Sequence, residues 1–477
     1  MQCKHNKTLI AVVISTLGVL AASSTAAQTR GSLFDDDDIK PPAKTEPAKT
    51  DAKSAPDDDL GLPGLRPGKT GEAGVRFSGN VELGMYRTVG EPDHWSHERI
   101  RTSLNAQGSN GGLKWKVGGR LDADGAFVGR GNRYYNADVR DNQRLGFELR
   151  ENYIDKSVGS WEMRLGKQNV VWGEMVGVFV ADVVSPRDLR DFLSTDLENV
   201  RRTTWAARFE KFSGDWHSEL LWVPVQTYDN IGKPGTDFYP YPAPVTPGYA
   251  YLIDPEQKPK NDFSNGGFGA RTGFLKDGWD VSAFYYASRD VAQTFERRIV
   301  TTPVAATIYT PVHDRIRQFG GTVAKDVGGL VFKGEAVVTS GRRFVMTRLD
   351  DDDGLQPSRS VDLILGLDYT PSADWRLNFQ VLDRSLTNHD ASMLVDKHEQ
   401  GGSVLTTWNF SSAWEAQLLW ATSFNRSEGW INPGLTWKMS PGWRLRMGAD
   451  FFYGPSTGSY GQYDNQDRAY VEVRYGF

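Results

Sequence analysis

Charged residues recur at alternate positions in several segments: Arg99 and Arg101, Glu148 and Arg150, Glu162 and Arg164, Arg444 and Arg446, Glu472 and Arg474. Arg76, Glu82, Lys114, Lys116, Arg120 and Asp450 fall in the matching phase of their own segments. A spacing of two places extended-chain side chains on one face. A wall carrying Arg and Glu in this way can form a stiffening ion-pair ladder. Where cations exceed acids, it can instead guide anionic or zwitterionic solutes. Elsewhere the same phase offers Phe284, Tyr286, Ile364 and Asp362, with fewer charges. A second group lies in residues 172–202: Trp172, Gly173, Glu174, Asp182, Pro186, Arg187, Asp188, Arg190 and Asp191. Its apolar stretch, 178–184, is more than a solvated loop needs. The expected chemistry is a segment folded into a lumen, with Glu174, Asp182, Asp188 and Asp191 facing the basic wall across a narrow opening.

These groups need strands to hold them. Six tryptophans, Trp161, Trp216, Trp279, Trp375, Trp414 and Trp443, each follow a short turn and open a run with alternating apolar residues. Amphipathic aromatics repeated at one end of many strands mark a membrane–water boundary. The mean hydropathy of -0.49 does not oppose this, because barrel strands dilute their own apolar signal. Eighteen alternating segments run from Gly74 to Phe477, or sixteen if 266–275 and 401–410 do not span. Very short connections alternate with long ones, the longest being 126–143, 172–202, 226–264, 292–313, 342–358 and 387–400. The predicted fold class is all-β, a transmembrane antiparallel β-barrel over 74–477. Ala469, Val471, Val473, Tyr475 and Phe477 form one apolar face, and this terminal pattern resembles the signal read by the bacterial barrel-assembly machinery.

The N-terminus differs in composition. Residues 1–27 carry Lys4 and Lys7, an apolar run and small residues before Gln28, the layout of a secretory signal peptide. Residues 28–73, with Asp35-Asp36-Asp37-Asp38 and Pro41-Pro42, cannot bury enough apolar area to fold, and read as a disordered acidic, Pro-rich periplasmic tail. Cleavage would remove Cys3, excluding disulfides and thiolate metal sites, and with Lys4 and Lys7 two positive charges, taking the net charge from -5 to -7. A mildly acidic exported chain is not a nucleic-acid binder.

One motif resembles a known family. Gly166-Lys167-Gln168-x-Val170-x-Trp172-Gly173-Glu174, followed by Asp182-Val183-x-Ser185-Pro186-x-Asp188, looks like an uncharacterised family of proteobacterial outer-membrane β-barrel proteins, and Leu33-Phe34-Asp35-Asp36 in the tail is similar to it too. The resemblance implies an outer-membrane location and a transport-linked role beside exporters or catabolic systems for hydrophobic compounds. His94, His97, His313, His389 and His398 fall in expected outer loops, often beside acids, and read as exposed rather than catalytic. Asp350-Asp351-Asp352-Asp353-Gly354 lacks a calcium-loop pattern and reads as a solvated acidic loop. No pattern calls for a cofactor, a metal or an enzyme. The leading expectation is a porin-like channel for small polar or anionic solutes. The alternative is a barrel in an export or uptake pathway for hydrophobic or lipidic compounds, with the tail engaging a periplasmic or inner-membrane partner. A rim-located hydrolase is the third reading. Outer-membrane lipid, lipopolysaccharide and the assembly machinery are the expected surroundings.

Overall fold

The computed structural model describes residues 74–128, 134–177, 180–192, 197–243 and 246–477. The predicted signal (1–27) and tail (28–73) lie outside the described residues, as do 178–179 and 193–196 of the expected constriction loop. In chain order the strands are β1 (Arg76–Thr88), β2 (Trp95–Asn110), β3 (Leu113–Asp124), β4 (Leu145–Val158), β5 (Trp161–Gln168), β6 (Thr204–Ser213), β7 (Trp216–Val225), β8 (Ala250–Ile253), β9 (Gly267–Lys276), β10 (Trp279–Arg289), β11 (Thr294–Val300), β12 (Ala306–Val312), β13 (Arg315–Val327), β14 (Leu330–Ser340), β15 (Arg343–Val345), β16 (Leu355–Pro357), β17 (Ser360–Ser372), β18 (Trp375–Leu386), β19 (His398–Trp408), β20 (Trp414–Ser423), β21 (Glu428–Ser440), β22 (Trp443–Tyr453) and β23 (Arg468–Gly476).

Eighteen of these form one antiparallel sheet that closes on itself, because β1 pairs with β23 from Asn80↔Gly476 to Thr88↔Arg468. The two segments in doubt, now β9 and β19, both pair on two sides, which removes the sixteen-strand alternative. Closure leaves no unpaired sheet edge, as a structure surrounded by lipid requires. An even strand number also brings both ends of the barrel chain to the same rim, where the short turns lie. Two-residue turns of this hand need positive φ at both positions. Asp277 and Gly278 (51° and 77°) and Gly328 and Gly329 (58° and 96°) supply it.

The outward face is apolar along its length. Leu83 and Met85 of β1, Ile100 and Leu104 of β2, Phe319 and Val323 of β13, and Leu363 and Leu365 of β17 are all exposed. So much exposed apolar surface is unfavourable in water and is satisfied by lipid. The six tryptophans are the first residues of β5, β7, β10, β18, β20 and β22, so they share one rim. Trp222, Tyr285 and Trp420 stand six residues further along β7, β10 and β20, also exposed, about 20 Å up the strand. They begin a second aromatic belt that the turn-linked pattern did not reveal.

The long connections carry structure of their own. β8 pairs parallel with β12, which pairs antiparallel with β11, and β15 pairs with β16. A short helix, Ala137–Gln143, begins where the Asn136 side chain accepts from Val139 N–H. None of these small elements was expected within the loops.

Candidate functional site: the luminal loop and its two anchors

The segment joining β5 to β6 folds into the lumen. Its root is built from the residues of the sequence motif. Gln168 Nε2 donates to the Ala206 carbonyl at 3.0 Å, and the Ser185 hydroxyl both donates to Val170 O (2.8 Å) and accepts from Val170 N–H (3.1 Å). Trp172 is 1% exposed. Its Nε1 donates to Glu219 at 3.0 Å, and its ring packs on Phe284 and Tyr286 of β10. Val170, Ala181, Val183 and Val184 join the same cluster with Leu221, Val223 and Val337 of the barrel wall. This packing accounts for the loop's apolar content.

The crossing itself rests on one carboxylate. Glu335 of β14 accepts backbone N–H groups from Glu174 (2.5 Å), Ala181 (2.7 Å) and Met175 (2.9 Å). Gly173 permits this approach, since a Cβ there would lie 3.0 Å from Asp182 N and 3.1 Å from Glu335 Oε1. Gln380 of β18 donates to Val176 O at 2.9 Å. Counted around the ring of eighteen strands, β14 lies six strands from β5 and β18 eight, so β18 is nearly opposite. Burial, and then the charge of Asp280, raise the Glu174 carboxyl against Arg271 and Lys333.

The chain then returns to the basic wall. Arg187 N–H donates to Asp229 (2.7 Å), Leu189 N–H to Asn230 O (2.8 Å) and Arg202 N–H to Pro186 O (2.8 Å). Asp188 pairs with Arg190 at 2.7 Å and with Arg120 at 3.5 Å. Asp191 sits 2.6 Å from Arg468, 3.1 Å from Arg99 and 3.2 Å from His97 Nε2. His97 Nδ1 is held by Asp124 at 2.6 Å, and Arg468 by Asp450 at 2.7 Å. Phe192 follows with φ of 57°, a conformation that disfavours a bulky L-residue. Its ring compensates by entering a nest of Phe452 (5.2 Å), Trp430 (5.3 Å), Tyr463 (5.3 Å) and Phe238 (5.8 Å).

Burial raises both carboxyls of this anchor, but their cations outweigh it. Arg468, His97 and Arg99 hold Asp191 well below the ordinary carboxylate range, and Arg190, Arg120 and Arg202 do the same for Asp188. A carboxyl depressed in the folded state contributes stability that is complete above its unfolded value, about 4, and is lost only as pH falls through the lower folded value. Amide-exchange protection at Leu189 and Arg202, corrected for intrinsic rates, is therefore expected to hold from pH 7 down to pH 4 and to fall only at lower pH. A loss already complete at pH 5 would contradict this account of the anchor.

The remaining wall residues are mostly paired. Arg101 lies 2.7 Å from Asp122 and 3.8 Å from Glu82; Arg120 is 3.1 Å from both Asp122 and Glu148. Arg150 is 3.5 Å from Glu148, and Arg164 is 2.7 Å from Asp155. Glu472 accepts from the Tyr86 hydroxyl and lies 3.9 Å from Arg446. Arg444 and Arg474 are register partners on β22 and β23. Arg76, Lys114 and Glu162 are exposed near the short-turn rim.

The basic wall itself carries more charges than the rest, where Arg208, Glu210, Glu219, Arg271, Lys333 and Glu335 also belong to the luminal set. Two expectations need correction. Of the four loop acids, only Asp188 and Asp191 reach the basic wall. Asp182 pairs with Arg201 inside the loop at 2.9 Å, and Glu174 lies 3.9 Å from Arg271 of β9. Carboxylate and guanidinium touch, so the arrangement is a contact rather than an open gap with a field across it. Finally, His94, His97 and His313 are buried, not exposed. Their partners are distant in sequence: Asp237 for His94, Asp124 and Asp191 for His97, Glu256 for His313. The adjacent acids pair elsewhere, Asp93 with Arg87, Asp314 with Arg343 and Asp390 with Arg348. His389 is half-buried and His398 exposed. The acidic run is partly paired, through Asp353 with Arg343 and Asp351 with Arg348.

Arg468 and the aromatic nest escaped the sequence reading. Arg468 shares the phase of Glu472 and Arg474, so extending that alternation two steps back would have found it. The nest joins β21, β22 and two loops, and no local spacing encodes it. Among the described residues one group could converge on a metal: Glu210, His217 and Glu219, with ligand atoms within 4.8 Å of one another. Arg208, 2.6 Å from Glu210 and 3.6 Å from Glu219, already supplies a cation to that position.

Several solved structures resemble the chain at low identity. A BenF-like porin from Pseudomonas fluorescens Pf-5 is 8% identical with a TM-score of 0.49, covering 84% of this chain and 98% of its own. The outer membrane protein OpdK from Pseudomonas aeruginosa is 10% identical with a TM-score of 0.47, covering 84% and 99%. OmpF of Salmonella typhi, in complex with daunomycin, is 10% identical with a TM-score of 0.44, covering 85% and 98%. No curated protein matches the sequence significantly. A family model does match, over residues 21–352, a span that contains the whole luminal loop, and the chain therefore belongs to the family described as protein of unknown function DUF1302.

Proposed function

We propose that the protein is a porin-like channel of the bacterial outer membrane for small polar or anionic solutes, with the β5–β6 segment as its constriction and the N-terminal tail in the periplasm. The observation that carries this reading is the luminal surface. It carries buried charged and hydrogen-bonding side chains on most strands, as a water-filled path requires and a lipid-carrying one does not, and its apolar patches on β7, β10 and β22 are those that seat the loop. The loop narrows that path because it is held on opposite walls, by Glu335 and by Asp191. A channel needs no catalytic group, and the buried histidines act as hydrogen-bonding ties between elements.

Conductance of the refolded protein in a planar bilayer tests this. The intact protein is expected to show small, steady steps, and a variant lacking residues 174–198 larger ones with the same barrel. Silence in both forms would overturn the channel reading and favour partner-dependent transport of hydrophobic compounds. Deletion of 28–73 would then abolish function while leaving the barrel assembled.

A further inference from the structure

The anchor at Asp191 and Phe192 has the form of a ligand in a binding site. The carboxylate of Asp191 is met by three donors at 2.6–3.2 Å, from Arg468, Arg99 and His97. The phenyl ring of the next residue fills the nest of Phe238, Trp430, Phe452 and Tyr463. The two halves are continuous, because the Arg468 guanidinium lies 4.7 Å from the Phe238 ring centroid and 4.9 Å from that of Tyr86. A supporting layer fixes the site. Asp450 holds Arg468 at 2.7 Å and the Trp430 indole N–H at 2.9 Å, and Asp124 orients His97. Donors held this way are organised whether or not the loop is seated. The loop tip, by contrast, takes a strained φ to enter. Two of the three donors, Arg468 and His97, thus have carboxylate holders besides the loop, whereas the occupant is bent to fit the site.

We propose that this cage is a binding site for small aryl carboxylates, and that Asp191 and Phe192 occupy it as an internal surrogate. A carboxylate close to an aromatic ring satisfies both halves at once. A simple anion leaves the aromatic nest unfilled, and a neutral arene leaves the cations without their partner. A tethered occupant acts as a competitor at millimolar effective concentration, on the order typical of short linkers. An external ligand must therefore displace it, which frees the part of the loop that crosses to the basic wall. The idea deepens the channel reading by naming a solute class, and rests on it for the ligand's route but not for binding itself.

Calorimetry on the refolded full-length barrel tests the site with benzoate as probe, and with benzyl alcohol and acetate as the two half-probes. The double variant Asp191→Asn/Phe192→Gly is expected to bind benzoate at least about tenfold more tightly than the intact protein, since the tethered competitor is gone. Each half-probe should bind at least about tenfold more weakly than benzoate, because a charge-assisted pair or a filled nest is lost. Phe192→Gly alone keeps every ion pair and relieves the positive φ, so it folds if the barrel does. It should show the same ranking with a smaller gain. Arg468→Gln added to it should remove the preference for benzoate over benzyl alcohol. Equal benzoate affinity with and without the tethered pair, or equal affinity for benzoate and benzyl alcohol, would overturn the proposal. Binding is read whether or not the barrel conducts. Binding without conductance would sink only the channel, and conductance without binding only this site.

Discussion

Removal of residues 468–477 is expected to abolish the folded barrel. The deletion takes away β23, which pairs with β1 on one side and with β22 on the other. Two strands would then face lipid with open edges, and each unsatisfied backbone group costs several kcal/mol there. No local rearrangement can offset a loss of that size, since net stabilities are typically about 5–15 kcal/mol. The readout is electrophoretic mobility before and after heating, which separates the compact barrel from the unfolded chain. A compact form at normal yield would refute the closure argument. Phe477→Ala provides the contrast. The Phe477 backbone pairs with Gly79 through both its carbonyl (2.8 Å) and its N–H (2.9 Å), and these bonds survive the substitution. Such a variant should reach the same folded mobility but assemble more slowly in cells, if the ring is what the assembly machinery reads.

The second large effect is expected at Glu335. Replacement by Ala leaves three buried N–H groups, of Glu174, Met175 and Ala181, without their acceptor. A buried donor left unmet costs about 1–3 kcal/mol, so the loop crossing loses about 3 kcal/mol or more. That is on the order of a hundredfold in local opening, read as loss of amide-exchange protection at those three groups. The barrel strands should keep their protection, because Glu335 pairs with Thr322 and Ile364 through its backbone, which the substitution leaves in place. Glu335→Gln retains one carbonyl acceptor and should lie between. Unchanged protection at Glu174, Met175 and Ala181 in the Ala variant would show that the apolar packing of Trp172, Val183 and Val184 suffices to hold the loop.

The loop's root and its Asp191 anchor differ in physical character. The β10 side is held by Trp172 and aliphatic packing, with few alternatives in water. The β23 side is held by ion pairs and one aromatic ring, which a solute can imitate. Displacement is therefore expected at Asp191 and Phe192, with the root at Val170 and Ser185 remaining seated.

The strand pattern was legible in the sequence because its physics is local. A period of two, a tryptophan after six of the eight short turns and a terminal apolar strand specify the eighteen strands, their facing and their shared rim. A one-residue slip in any of them would put charges such as Arg446 and Arg474 into lipid. The loop's burial was legible too, since Val183, Val184 and Trp172 had to be covered by something. Only the tertiary structure decided which partner each charged group takes. Asp191 meets Arg468 across 277 positions of sequence, and His94 meets Asp237 across 143, while their sequence neighbours pair elsewhere. Closure of the barrel makes those meetings. It brings the last strand beside the first and places both within reach of a loop that starts at the fifth, a proximity that no spacing along the chain encodes.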